Sequence, residues 1–164
     1  MKLLSDILYK SGIEEVIGDI SRSIDSICFD SRKVTSNSLF IATRGTHVDG
    51  HEFINSAIDN GAVTVICEKF PSQISSQITY VKVKDSSYAL GVVASNFYGN
   101  PSDKLKLIGV TGTNGKTTVV TLLYLLYSQL GKKAGLLSTV RNKIISETIP
   151  STHTTPDAIA INQL

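Results

Sequence analysis

The chain holds 164 residues, 41% apolar and 18% charged, with sixteen basic and fourteen acidic residues and a formal charge of +2. This composition suits a globular protein with a core, and the scattered charges exclude a cationic tract of the kind that grips nucleic acid. No stretch approaches ~18 consecutive apolar residues, and the opening MKLLSDILYK lacks the apolar centre of a signal peptide, so a cytoplasmic chain with no membrane partner is expected.

Leu3, Leu4, Ile7 and Leu8 recur at helical spacing and predict a short opening helix. SICFDSR (26–32) and SLFIATRG (38–45) read as strands parted by the polar turn KVTSN. HEFINSAIDNGA (51–62) is helical in pattern, with Phe53, Ile54, Ala57 and Ile58 on one face and Asn60-Gly61 as its stop. VTVICEK (63–69) is a continuous apolar run suited to a buried strand, and ITYVKVKD (78–85) predicts another. SSYALGVVASNFYG (86–99) follows as a helix with a serine cap and a terminal glycine. Cys28 and Cys67 lie in strand-like runs without disulfide or metal-ligand spacing, so both are expected as buried reduced thiols.

Asn100-Pro101-Ser102-Asp103 is the predicted boundary, dividing the chain into domains 1–101 and 102–164. Beyond it come a strand KLIGV (106–110), a glycine-rich loop, a long helix KTTVVTLLYLLYSQL (116–130) and a strand KAGLLST (133–139). Strand, helix and strand in this order predict a βαβ unit and a parallel sheet. VRNKIISETIP (140–150) reads as a hairpin or loop excursion. TTPDAIAINQL (154–164) opens a helix with Thr155 at the cap, Pro156 at the first position and Asp157 near the dipole. Two strands and one and a half helices are few for a parallel sheet, so the second domain is expected to be incomplete.

Gly112, Thr113, Asn114, Gly115, Lys116, Thr117 and Thr118 lie between the predicted strand and the long helix. Backbone N–H groups of such a turn converge on phosphate oxygens, and the helix start adds positive partial charge. Lys116 would reach the β- and γ-phosphates of ATP, and the Thr117 hydroxyl would hold Mg²⁺. The strict G-x-x-x-x-G-K-[ST] pattern fails, because Val110 stands five residues before Gly115. A plain reading is a helix start with a solvated lysine; the flanking strand and helix favour the nucleotide loop.

With this T-G-T-N-G-K-T-T segment the chain resembles the Mur ligase family, ATP-dependent enzymes that assemble the peptide stem of the bacterial cell wall, whose phosphate loop reads T-G-T-x-G-K-T-T. FDSRKVTSNSLFIATRGTHVDGHEFINSAIDNGAVTVICEK (29–69) is similar to their uridine-nucleotide-binding domain, with D-S-R, L-F-I-A and G-x-x-x-D-G in order. The resemblance implies a mixed α/β uridine-nucleotide-binding domain followed by the start of a parallel-sheet P-loop domain. STHTTPD (151–157) resembles the E-type members, which add the third amino acid, meso-diaminopimelate or L-lysine, to UDP-N-acetylmuramoyl-L-alanyl-D-glutamate. F-type members share the D-S-R and D-G features but usually carry an asparagine-rich segment there. An F-type or other Mur ligase, or a non-catalytic UDP-sugar-binding module, are the alternatives.

By position the resemblance implies that Phe29 and Ser31 flank the uracil and that Thr46, His47 and Val48 match the loop closing over the uridine. It places Thr154 and Thr155 against the diphosphate–muramoyl part, and leaves the role of His153 open. It further implies a monomer with small-molecule partners, namely ATP with Mg²⁺, the UDP-N-acetylmuramoyl dipeptide and an amino acid, and no nucleic acid. Without ligands, Asp30 and Arg32 read as a turn-stabilising pair, with Arg32 open between that and ligand contact. Asp49 reads as a cap, and His47 and His51 as solvent-facing or hydrogen-bonded histidines. The family's remaining metal-site residues, its carbamylated lysine and its amino-acid-binding domain have no counterpart in these 164 residues, which are expected to lack ligase activity alone.

Overall fold

In the computed structural model of the protein, residues 1–45, 48–145, 147–150 and 156–164 are described. They form two compact units, Met1–Asp103 and Lys104–Leu164.

The first unit runs β1 (Lys2–Leu3), α1 (Leu4–Ile7), β2 (Ile13–Ile17), β3 (Ser23–Ile24), β4 (Ser26–Cys28), β5 (Ser38–Ile41), α2 (Ile54–Asp59), β6 (Ala62–Cys67), β7 (Thr79–Val83) and α3 (Ser86–Tyr98). Five strands build one sheet in the order β2-β7-β6-β5-β4. β4, β5, β6 and β7 are mutually parallel, and β2 closes one edge antiparallel to β7. All four residues of β5 are buried, as a strand covered on both faces requires.

Alternation along the strands divides the core. Phe40, Val65, Cys67 and Tyr80 face one side, where Ile54 and Ala57 of α2 join them. Leu39, Ile41, Ile66, Val81 and Val83 point to the other and are equally buried. α1 and α3 pack against each other, and their Leu4, Ile7, Ala89, Val93 and Ala94 are buried as well; Asn96 Nδ2 of α3 donates to the Ile7 and Tyr9 carbonyls. Cys28 and Cys67 are free and buried, and burial pushes both thiols up to about 11.

The predicted serine cap of α3 is replaced by Asp85, whose carboxylate accepts from Ser87 N and Tyr88 N, each at 2.9 Å. Gly99 ends the helix at φ 80°, the left-handed position that suits glycine.

The second unit contains α4 (Lys116–Gln129), β8 (Gly135–Leu136), β9 (Arg141–Ile144), β10 (Glu147–Pro150) and α5 (Ala158–Gln163). β9 and β10 form the hairpin, and β8 adds to it antiparallel. The predicted strand at 106–110 and the parallel βαβ pairing are absent among the described residues: 106–110 has no ladder partner, and Leu107 is 73% exposed. A strand exists only where a neighbour takes its N–H and C=O groups. Tyr124 of α4 is buried, donates its hydroxyl proton to the Ile145 carbonyl and lies beneath the Lys143 ammonium, so α4 is tied to the hairpin. α5 begins two residues later than expected. Asp157 is its cap, accepting from Ile159 N and Ala160 N, so Pro156 precedes the helix. No helix among the described residues is long and apolar enough to cross a membrane.

Candidate functional site

Because β4 to β7 are parallel, the segments that follow them emerge at one edge, the place where α/β sheets hold ligands. Phe29 and Ser31 follow β4, while Val48 follows β5, its direct neighbour in the sheet. Phe29 is 36% exposed and available for stacking, whereas Ser31 is 7% exposed and opens a 3-10 turn over Ser31–Lys33. Its carbonyl accepts from Asn60 Nδ2 at 3.0 Å, which joins this turn to the end of α2. Val48 is 55% exposed, and its carbonyl accepts from Gly45 N at 2.9 Å. Thr46 and His47 lie outside the described residues, as do His153, Thr154 and Thr155.

Asp30 caps the 3-10 turn through Arg32 N at 3.1 Å and forms a two-point ion pair with the Arg32 guanidinium, both contacts at 2.9 Å. The Arg32 side-chain bond holds the Asp30 carboxyl below its usual range. Asp49 likewise caps a turn over Gly50–Phe53, and the His51 backbone N–H is the first cause of its lowered pKa. Both residues thus have the structural roles read from the sequence.

Sequence reasoning missed Arg44 and Glu68. Glu68 stands directly after β6; its Oε2 is 3.2 Å from Arg44 Nε, and its Oε1 accepts from Ser86 N at 3.1 Å and Ser86 Oγ at 2.8 Å. Burial raises the Glu68 carboxyl, but the two Ser86 hydrogen bonds, joined by the Arg44 charge, outweigh it and leave the pKa lowered. The available signal was a carboxylate at the C-terminal end of a continuous apolar strand. A surface depression of about 280 Å³ between α2 and the 73–75 turn contains none of the candidate residues.

In the second unit Gly112 and Gly115 take φ 149° and 79°, so the backbone of 112–115 turns sharply into α4. Gly115 is the N-cap and offers no side chain, and Val119 N makes the bond to its carbonyl. No side-chain bond caps the helix, which leaves its first N–H groups to an anion. The Lys116 ammonium lies on the loop's own carbonyls, bonded to Gly112 O and to Thr113 O at 3.3 Å. Thr113, Asn114 and Thr118 are exposed around the turn, and Thr117 is half-buried with its carbonyl accepting from Thr121 Oγ1. An uncapped helix start with one ammonium folded over it fits a nucleotide polyphosphate, and the Thr117 hydroxyl fits the metal ion that accompanies one.

The chain matches the model of the "Mur ligase family, catalytic domain" over residues 23–98, inside the first unit. It matches the "Mur ligase middle domain" over residues 110–164, inside the second. It is 54% identical to the UDP-N-acetylmuramoyl-L-alanyl-D-glutamate–2,6-diaminopimelate ligase of Cytophaga hutchinsonii, over 98% of this chain and 33% of that protein. The Bacteroides fragilis protein of the same name is 47% identical over 98% of this chain and 33% of its own. Among solved structures, a ligase of that name shares the fold at TM-score 0.73 and 24% identity, covering 99% of this chain and 32% of the other. The MurF ligase from Thermotoga maritima in complex with ADP is 32% identical at TM-score 0.51, over 70% of this chain and 25% of its own. The chain spans about a third of the length of the curated relatives it matches. With two models of one family on successive units and these relatives along nearly its whole length, the chain belongs to the Mur ligase family.

Proposed function

We propose that this chain is the nucleotide-handling part of the ATP-dependent ligase that adds the third amino acid to UDP-N-acetylmuramoyl-L-alanyl-D-glutamate during peptidoglycan synthesis. The observation that carries the reading is 54% identity over 98% of the chain to a relative with that activity in its name. The 32% identity to F-type structures over about two thirds of the chain is weaker support for that alternative. The relatives' names favour 2,6-diaminopimelate as the incoming amino acid.

In this reading residues 1–101 hold the UDP precursor. Phe29 and Ser31 flank the uracil, Thr46, His47 and Val48 cover the uridine, and Thr154 and Thr155 meet the diphosphate–muramoyl part. Residues 102–164 contribute Gly112 to Thr118 to ATP. The γ-phosphoryl group passes to the D-glutamyl γ-carboxylate, ADP leaves, and the amino group of the incoming amino acid displaces phosphate as the amide forms. The physical obstacle is repulsion between a carboxylate and a triphosphate. Lys116 and the uncapped start of α4 place positive charge where that repulsion develops, and Mg²⁺ at the Thr117 hydroxyl supplies further neutralisation.

The protein acts in the cytoplasm as a monomer on small molecules. These 164 residues bind both nucleotides without completing the ligation, in line with their span of about a third of the named ligases.

Calorimetric titration with UDP-N-acetylmuramoyl-L-alanyl-D-glutamate, and separately with ATP and Mg²⁺, tests the reading. Saturable heat is expected in both arms, with Lys116→Ala weakening only the ATP arm, by about tenfold or more. A folded sample that gives no heat with the UDP precursor overturns it.

A further inference from the structure

We infer that His51 is a positioning residue: its neutral imidazole, protonated on Nδ1, joins the stem of the segment after β5 to the end of β6 and thereby sets the candidate uridine-binding edge. The functional half of this inference rests on the uridine reading above.

The tautomer follows from one donor. The backbone N–H of Glu68 points at His51 Nε2 at 2.8 Å, and a ring nitrogen that accepts carries no proton. The ring proton is therefore on Nδ1, which donates to Asp49 Oδ1 at 2.6 Å. The same oxygen accepts the backbone N–H of His51 at 3.0 Å, so Asp49 and the ring hold each other in one orientation. The imidazole is 15% exposed, so water is a poor substitute for either partner.

Both partners lie at the ligand edge. Asp49 pairs with Arg44 in an isolated antiparallel bridge, and the stem is closed by Gly45 N to Val48 O and Gly50 N to Thr43 O, both 2.9 Å. Gly50 admits no larger residue, because a Cβ there would stand 2.6 Å from Thr43 O. Glu68 lies just past the last ladder residue of β6, where the adjacent strands no longer supply an acceptor; His51 does. The Glu68 carboxylate continues the chain of contacts to Arg44 and to Ser86 at the start of α3. One imidazole thus stands where the segment after β5, the end of β6 and the start of α3 meet. Its ring nitrogens bond to Asp49 and Glu68, and it acts on the ligand edge through them.

The test uses the whole chain with His51→Ala and His51→Gln, whose amide oxygen can reach the place of Nε2. Imidazole nitrogen NMR reads the tautomer, hydrogen exchange reads the Gly45, Gly50 and Glu68 amides, and calorimetry reads affinity for uridine diphosphate. The Nδ1–H tautomer is expected in the parent protein. His51→Ala should speed exchange at those three amides by about tenfold while Val81 and Val93 stay protected, and should weaken uridine diphosphate by a similar factor. His51→Gln should restore most of both. An Nε2–H tautomer, unchanged Gly45 and Gly50 exchange in His51→Ala, or no rescue by glutamine overturns the inference. If the parent protein ignores uridine diphosphate, the uridine reading falls, and the tautomer and exchange results still decide the role of His51 in the stem.

Discussion

Single atoms in the first unit already make demands that stability measurements can read. Thr64 is fully buried in β6, and its hydroxyl has no hydrogen-bond partner among the described residues. A buried hydroxyl without a partner costs more than the methyl group that would replace it. Thr64→Val keeps the shape and the β-branch, so urea unfolding should show a gain of about 1 kcal/mol. A loss of stability would mean that the hydroxyl is satisfied. The carboxylates predict the acid response. Asp30, Asp49 and Glu68 all have lowered pKa values in the fold, so the unfolded chain takes up protons first as pH falls. Their stabilisation is complete above the usual carboxylate range and drains away as pH drops through the lowered folded values. Glu68→Gln should flatten that slope in unfolding curves taken between about pH 7 and about pH 3, and an unchanged slope would remove Glu68 from the account.

Elements were legible where local pattern and tertiary demand agreed. The runs that became β5, β6 and β7 are apolar because both sheet faces are covered, and the 53–58 stripe became α2 because one face meets Phe40 and Val65. β2 left no such mark: IEEVI carries Glu14 and Glu15 on an exposed edge, bears a register shift, and is held by its ladder to β7 and by Glu14 to Lys82 at 3.4 Å. The site divides in the same way. The loop 112–118 is contiguous and therefore readable, whereas the Arg44, Asp49, His51, Glu68 and Ser86 contacts join residues from three segments that only the sheet brings together. Capping was misread by one residue at α3 and by two at α5, because Ser and Thr compete with a nearby Asp and the carboxylate can take two N–H groups. Asp85→Ala removes both bonds at the start of α3 and should cost about 1 kcal/mol in denaturant unfolding, with Asp85→Asn recovering most of it. Equal losses in the two variants would mean that charge, not capping geometry, is what Asp85 contributes.

At the scale of the molecule the two units differ in how they are built. Met1–Asp103 has a sheet buried on both faces, and Tyr80 and Phe40 are the largest of its fully enclosed side chains. In Lys104–Leu164 the buried side chains among the described residues are Tyr124, Leu136 and Asn142, while Leu122 and Leu126 of α4 remain 60% and 51% exposed. Stability should therefore reside in the first unit, since apolar area removed from water is the main favourable term in folding. A chain of residues 1–103 should fold and unfold cooperatively, with a midpoint within a few degrees of the main transition of the 164-residue chain. It carries Phe29, Ser31, His51 and Val48 but neither Thr154 nor Thr155. It should bind uridine diphosphate as the longer chain does, yet lose the longer chain's preference for the muramoyl-bearing precursor over uridine diphosphate, about tenfold if each threonine contributes one ordinary hydrogen bond. Calorimetry on the two chains with the two ligands separates the possibilities. An unfolded 1–103 chain would show that the first unit depends on the second, and an undiminished preference for the precursor would place its muramoyl contacts within the first unit.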